Sequence, residues 1–129
     1  STNATAFGSV GNSGAYGASS TGLPSDNFAV EIWARTSDVG QDFQSFLSLN
    51  AGDAGSLMFH IGDGTWSASY FGAAWVGPAS GGGESVASGV WTNLAVIRSE
   101  GVSTFYVNGV AQTGTTSAAP SYGAPDGIH

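Results

Sequence analysis

Paired carboxylates are the first chemistry to look for, because retaining glycosidases work between two carboxyl groups about 5 Å apart. On a strand that spacing places Asp or Glu at i and i+2 or i+4 of one face. Glu31 has no acidic residue two positions on, and Glu84 and Glu100 stand alone near loops. Glycoside hydrolysis is therefore not expected. His60 and His129 are the only histidines, and neither sits in a zinc-binding spacing. His60 alternates out of step with Leu57, Phe59 and Ile61, so it faces the other side of its strand as a packed or solvated side chain. Serines are too numerous for any Ser-His-Asp grouping to be picked out. Gly81-Gly82-Gly83 is no phosphate loop, since the chain has no lysine and no strand-to-helix unit follows.

Binding chemistry has better candidates. Calcium takes carboxylates together with loop carbonyls. Asp26, Asp38, Asp42, Asp53, Asp63 and Asp126 all fall in or beside predicted loops near glycines. Asp26, Asp38 and Asp126 are the candidate ligands, and calcium is the one cofactor this pattern admits. The competing reading is turn chemistry, because Asp starts turns through its own side chain. Sugar rings stack on exposed aromatic faces. Trp66, Tyr70 and Trp75 are the candidate ligand-binding residues, and the segment from Phe71 to Pro78 sets aromatics among small residues, as a binding loop does. Core packing is the competing fate of each tryptophan.

The elements that must position these residues are strands. No window sustains a 3.6-residue period, whereas period-2 runs bounded by Gly, Asn, Asp and Pro recur. Phe28 to Arg35 alternates cleanly, with Phe28, Val30, Ile32 and Ala34 on one face. Further strands are predicted over 43–50, 56–62, 65–72, 91–98 and 102–107, with one or two short ones within residues 1–22. Asp63-Gly64 and Asn108-Gly109 lie between alternating runs, the sequence signal of a two-residue type I′ hairpin. Residues 77–90, rich in Gly, Ser and Ala, read as a flexible surface loop. The whole, residues 1–129, is one domain of an all-β class: a two-sheet antiparallel β-sandwich or jelly roll.

Composition narrows the partners. Charged residues make up 9% of the chain, against about 25% in an ordinary globular protein. The net charge is −7, with Arg35 and Arg98 as the only basic side chains besides histidine. Such a surface repels nucleic acid and anionic lipid. No apolar run reaches the length of a membrane span, so membrane insertion is not expected. The absence of cysteine rules out disulfide staples. Together with the small, hydroxyl-rich composition it points to a secreted or cell-surface protein of bacterial type. The opening Ser-Thr-Asn-Ala reads as a mature terminus or a chosen boundary, and Asn3-Ala4-Thr5 fits an N-glycosylation sequon.

Three segments in order carry a family pattern: Asn27-Phe28-Ala29-Val30-Glu31-Ile32-Trp33-Ala34-Arg35, then Gly89-Val90-Trp91-Thr92-Asn93-Leu94-Ala95-Val96-Ile97-Arg98, then Thr104-Phe105-Tyr106-Val107-Asn108-Gly109-Val110. Together they resemble the laminin-G-like domains of the concanavalin A-like lectin/glucanase superfamily. The resemblance spans about residues 23–113. It implies a concanavalin A-like jelly roll, a structural role for Trp33 and Trp91, and a calcium ion at the sandwich rim. The acidic motif of the superfamily's glucanases is absent. The family pattern usually continues beyond a segment like Ala124–His129 into further strands. A boundary inside the domain, a shortened variant, or a strand added by a neighbouring chain would each account for that difference. The expected function is a non-catalytic extracellular recognition or adhesion module for a glycan or an extracellular protein, with calcium dependence. The alternative is a structural subunit of a filament or surface assembly, joined as a homo-oligomer or polymer through an open sheet edge. A glucanase-type hydrolase comes last.

Overall fold

The computed structural model describes residues 26–40, 43–48 and 55–120. The short strands expected within residues 1–22, and Asp42, Asp53, Asp126 and His129, lie outside the described residues. Eight strands run in chain order: β1 (Phe28–Ala34), β2 (Gln44–Ser48), β3 (Leu57–Gly62), β4 (Thr65–Tyr70), β5 (Ala74–Trp75), β6 (Thr92–Ser99), β7 (Val102–Val107) and β8 (Val110–Ala111). They form two four-stranded antiparallel sheets, β1-β6-β7-β8 and β2-β3-β4-β5. No described residue is helical. The all-β sandwich is therefore what the alternation predicts.

Three two-residue hairpins set the registers. Asp63-Gly64 joins β3 to β4 and Asn108-Gly109 joins β7 to β8. A third, Glu100-Gly101, joins β6 to β7 and was not marked by the sequence signal. All six turn residues have positive φ, as a type I′ turn requires at both centres. Asn108 adds a tie, its Oδ1 accepting from the Asn93 N–H at 2.9 Å.

The core lies between the sheets. The first sheet contributes Ala34, Leu94, Val96, Phe105 and Val107. The second contributes Leu57, Phe59, Ile61, Trp66, Ala68 and Tyr70, and Val76 joins them just past β5. Phe59 and Phe105 meet across the gap with ring centroids 6.1 Å apart. In β2 the register shifts between Ser45 and Leu47. This bulge lets the adjacent Phe46 and Leu47 both pack against the core. At one end a polar bridge replaces apolar contact. The buried Arg98 donates from Nη1 to Ser103 Oγ at 2.8 Å and to the Ala118 carbonyl at 2.9 Å. The Tyr70 hydroxyl of the opposite sheet shares a hydrogen bond with that same Ser103 Oγ. Ser103 and Thr116 also exchange backbone hydrogen bonds, which ties the chain after β8 to β7.

The glycine-rich stretch expected to be a flexible loop is laid along β4 instead. Trp66 N–H donates to the Glu84 carbonyl at 2.9 Å, and Val86 N–H to the Gly64 carbonyl at 2.9 Å. Gly83 approaches so closely that a Cβ there would lie 2.9 Å from the Trp66 carbonyl oxygen. The glycines provide close backbone approach here, rather than looseness.

Candidate functional site

The face of β2-β3-β4-β5 turned away from the core carries the residues that alternate against Leu57, Phe59 and Ile61. Cross-strand pairing sets Met58 beside Ser69 and Ser69 beside Trp75 in one row, with Ser45, His60 and Ser67 in the next. His60 is buried, and its Nε2 lies 3.2 Å from Ser69 Oγ, so the imidazole is held by a partner on the neighbouring strand. Its ring is flanked on both sides. Phe43 stacks on it at 5.8 Å between centroids and 23° between planes, and Trp75 lies 5.6 Å away at 48°. Phe43, His60 and Trp75 thus make an aromatic ribbon running across the strands.

Phe43 has φ 54°. A bulky L-residue in the left-handed region costs about 1–2 kcal/mol, and such strain gathers at functional positions. The conformation sets an aromatic ring, 67% exposed, at the mouth of the sheet face just before β2 begins. On the other side the β4–β5 turn closes tightly, Ala73 N–H donating to the Tyr70 carbonyl at 2.8 Å. That turn presents Phe71. Phe43, Phe71 and Trp75 wall a cleft of about 500 Å³ whose floor holds Met58, His60 and Ser69. None of its described lining residues is Asp, Glu, Lys or Arg. The arrangement suits a ligand with an apolar face, an uncharged body and few hydrogen-bonding groups directed inward.

Of the aromatic candidates, Trp75 alone reaches this cleft. Trp66 and Tyr70 are corrections. Ile61 pairs with Trp66 and Leu57 with Tyr70, so both share the core-facing side of their sheet. They are 1% and 0% exposed and present no face to a ligand. Trp33 and Trp91 depart from their expected structural role in the opposite sense, at 59% and 46% exposed. Trp33 lies on the outer side of β1, and the Arg35 guanidinium sits 5.2 Å over the Trp91 ring, a cation–π contact.

Asp38 does turn chemistry. Asp38 Oδ1 accepts from the Gly40 N–H at 3.2 Å, while the Asp38 N–H donates to Thr36 Oγ1. The Asp26 carbonyl accepts from Gly101 N–H, and Asp63 occupies the β3–β4 turn. Asp126 lies outside the described residues. Among the described residues no three His, Asp or Glu side chains gather as a metal would require. The glutamates are dispersed. Glu31 Oε1 accepts from Asn93 Nδ2 at 2.7 Å on the outer face of β1, Glu84 is exposed beside β4, and Glu100 is in the β6–β7 turn.

Phe43, Met58 and His60 were not singled out as ligand-binding, whereas Phe71 opens the segment read as a binding loop and does line the cleft. A signal for His60 and Met58 was present, because a two-residue Asp-Gly turn fixes the β3–β4 register and with it which residues share each face. Nothing in the sequence marks the left-handed backbone at Phe43.

No curated protein and no solved structure matches the chain significantly. The family model Laminin_G_3, described as the concanavalin A-like lectin/glucanases superfamily, matches residues 10–127. With that match over most of its length and a two-sheet antiparallel sandwich as its fold, the chain belongs to the laminin-G-like family of the concanavalin A-like lectin/glucanase superfamily.

Proposed function

We propose that this domain is a non-catalytic recognition module, secreted or displayed at a bacterial cell surface, that binds an uncharged glycan on the outer face of its second sheet. One observation carries the reading: the Phe43–His60–Trp75 ribbon stands at a cleft whose described lining holds no carboxylate, ammonium or guanidinium. Sugar rings are amphipathic discs, and their C–H faces stack on aromatic rings while their hydroxyls stay in water. The dispersed glutamates support binding without turnover. The described lining offers no carboxylate, so this reading does not call on calcium at the cleft. The test is a glycan array followed by calorimetry on the hits, with Trp75→Ala as control. Saturable binding lost in Trp75→Ala is expected, and an array without hits retires the reading.

A second reading, a protein-binding or assembly subunit, has its own support. The outer side of the first sheet exposes Trp33, Ile97 and Val102, and exposed apolar area of this kind suits contact with another protein. Sedimentation separates the two. Concentration-dependent oligomers that dissociate on Trp33→Ser favour assembly, and a monomer at all concentrations removes it.

A further inference from the structure

We infer that the sugar taken by this cleft carries an N-acyl group, an acetamido substituent in the simplest case, and that this group descends beside Ser69 while the sugar ring lies on Trp75. The inference rests on the glycan reading above.

The polar capacity of the floor is small. Among the described lining residues Ser69 and His60 are the only polar side chains, and they already bond each other at 3.2 Å. A hexose carries hydroxyls around its whole rim, and each one desolvated without a partner is unfavourable. A ring buried edge-first therefore has too few partners here. A ring laid flat on Trp75, itself 39% exposed, keeps its hydroxyls wet and sends one substituent inward.

The walls say what that substituent must be. Phe43, Phe71 and Met58 ask for an apolar end. A carboxylate meets no Lys or Arg, and an ammonium no Asp or Glu, among the described lining residues. A bare hydroxyl leaves the apolar walls unfilled. An acetamido group offers a methyl to the walls, with one N–H and one carbonyl near the floor.

Ser69 can serve that amide in either state of its partner. A serine hydroxyl has one donor and two lone pairs. When His60 Nε2–H donates to it, the Ser69 O–H remains to donate to the amide carbonyl. When His60 Nε2 accepts from it, the Ser69 oxygen accepts the amide N–H.

The test compares sugars that differ only at one ring carbon. Trisaccharides of glucose, N-acetylglucosamine and glucosamine in the same β-1,4 linkage present a hydroxyl, an acetamido group and an ammonium. Calorimetry at low and high salt reads their affinities, and a glycan array extends the comparison to matched pairs in other linkages. The acetamido member of each bound pair is expected to bind about tenfold or more tightly, the worth of one buried methyl and one hydrogen bond. Ser69→Ala is expected to narrow that gap, with an unchanged far-ultraviolet β-sheet spectrum and cooperative unfolding, a few degrees lower for the lost bond to His60, showing that the sheet is intact. Equal affinity for hydroxyl and acetamido members overturns this inference and leaves the glycan reading standing. Preference for the glucosamine trimer that fades in salt overturns it too, since the attraction then belongs to the acidic surface. Binding by no sugar overturns both.

Discussion

Replacing Phe43 separates ligand binding from folding more cleanly than any other substitution in this domain. Its ring is 67% exposed, so truncation removes little buried area, and its one described ring contact is the stack on His60. An aromatic pair of this kind contributes about 0.5–1.5 kcal/mol, so Phe43→Ala is expected to destabilise by about 1 kcal/mol, a shift of a few degrees in Tm. Phe43→Gly adds the backbone to the comparison. Glycine in a regular extended segment is ordinarily less stable than alanine by about 0.5–1 kcal/mol. At φ 54° the order reverses, because the left-handed conformation costs an L-residue about 1–2 kcal/mol and costs glycine nothing. Phe43→Gly is therefore expected to be at least as stable as Phe43→Ala. Binding should behave differently, since both variants lose one end of the aromatic ribbon. Loss of a stacking surface costs about 1–3 kcal/mol, or roughly five- to a hundredfold in Kd. Thermal and urea unfolding give the stability, and calorimetry against the best array ligand gives the affinity. The reasoning fails if Phe43→Gly is clearly the less stable variant, or if both bind ligand as tightly as the parent chain.

Other parts of the molecule give further expectations. Gly109 has φ 77° and open space where a Cβ would sit, so Gly109→Ala meets only backbone strain and should cost about 1 kcal/mol in urea unfolding; no loss would mean the turn is not held as type I′. Arg98→Met keeps the bulk of a buried side chain and removes its donors to Ser103 and Ala118. A loss of about 2–4 kcal/mol is expected, with faster hydrogen exchange at the Thr116 amide, and an unchanged Thr116 rate would show that Arg98 does not hold that segment. Glycan binding should survive chelation by EDTA, whereas loss restored by calcium would place a cation at the ligand.

Much of the architecture was legible because period-2 alternation and two-residue turns are local signals. Phe28 to Ala34 and the Asn108-Gly109 hairpin could be read directly. The site was harder to read for a physical reason. Alternation says which residues share a face, but it does not say which face is wet. Trp66 and Tyr70 read as surface aromatics until the Asp63-Gly64 register sets them beside Ile61 and Leu57, the most apolar run of their hairpin. Trp33 shows the converse, an aromatic within a strongly apolar strand that nonetheless points outward. Phe43 was illegible because its position depends on a positive φ that ordinary phenylalanine avoids. Glu100-Gly101 escaped notice because glutamate is not a favoured residue for that turn, and the length of the connection decides instead.

The two sheets differ in how far apart their strands lie along the chain, and this sets an order of assembly. The second sheet is a simple meander in which each strand pairs with its sequence neighbour from residue 44 to 75. Its hairpins close short loops at little entropic cost. Among the described residues the first sheet contains one distant strand pairing, residues 28–34 against residues 92–98. Contacts of that separation form late, because a long loop must close before any pairing compensates for it. Strand β1 is therefore expected to dock last, onto a β6–β7–β8 ribbon already in place. The aromatic ribbon sits on the meander, whose sequence-local pairings do not wait on that closure.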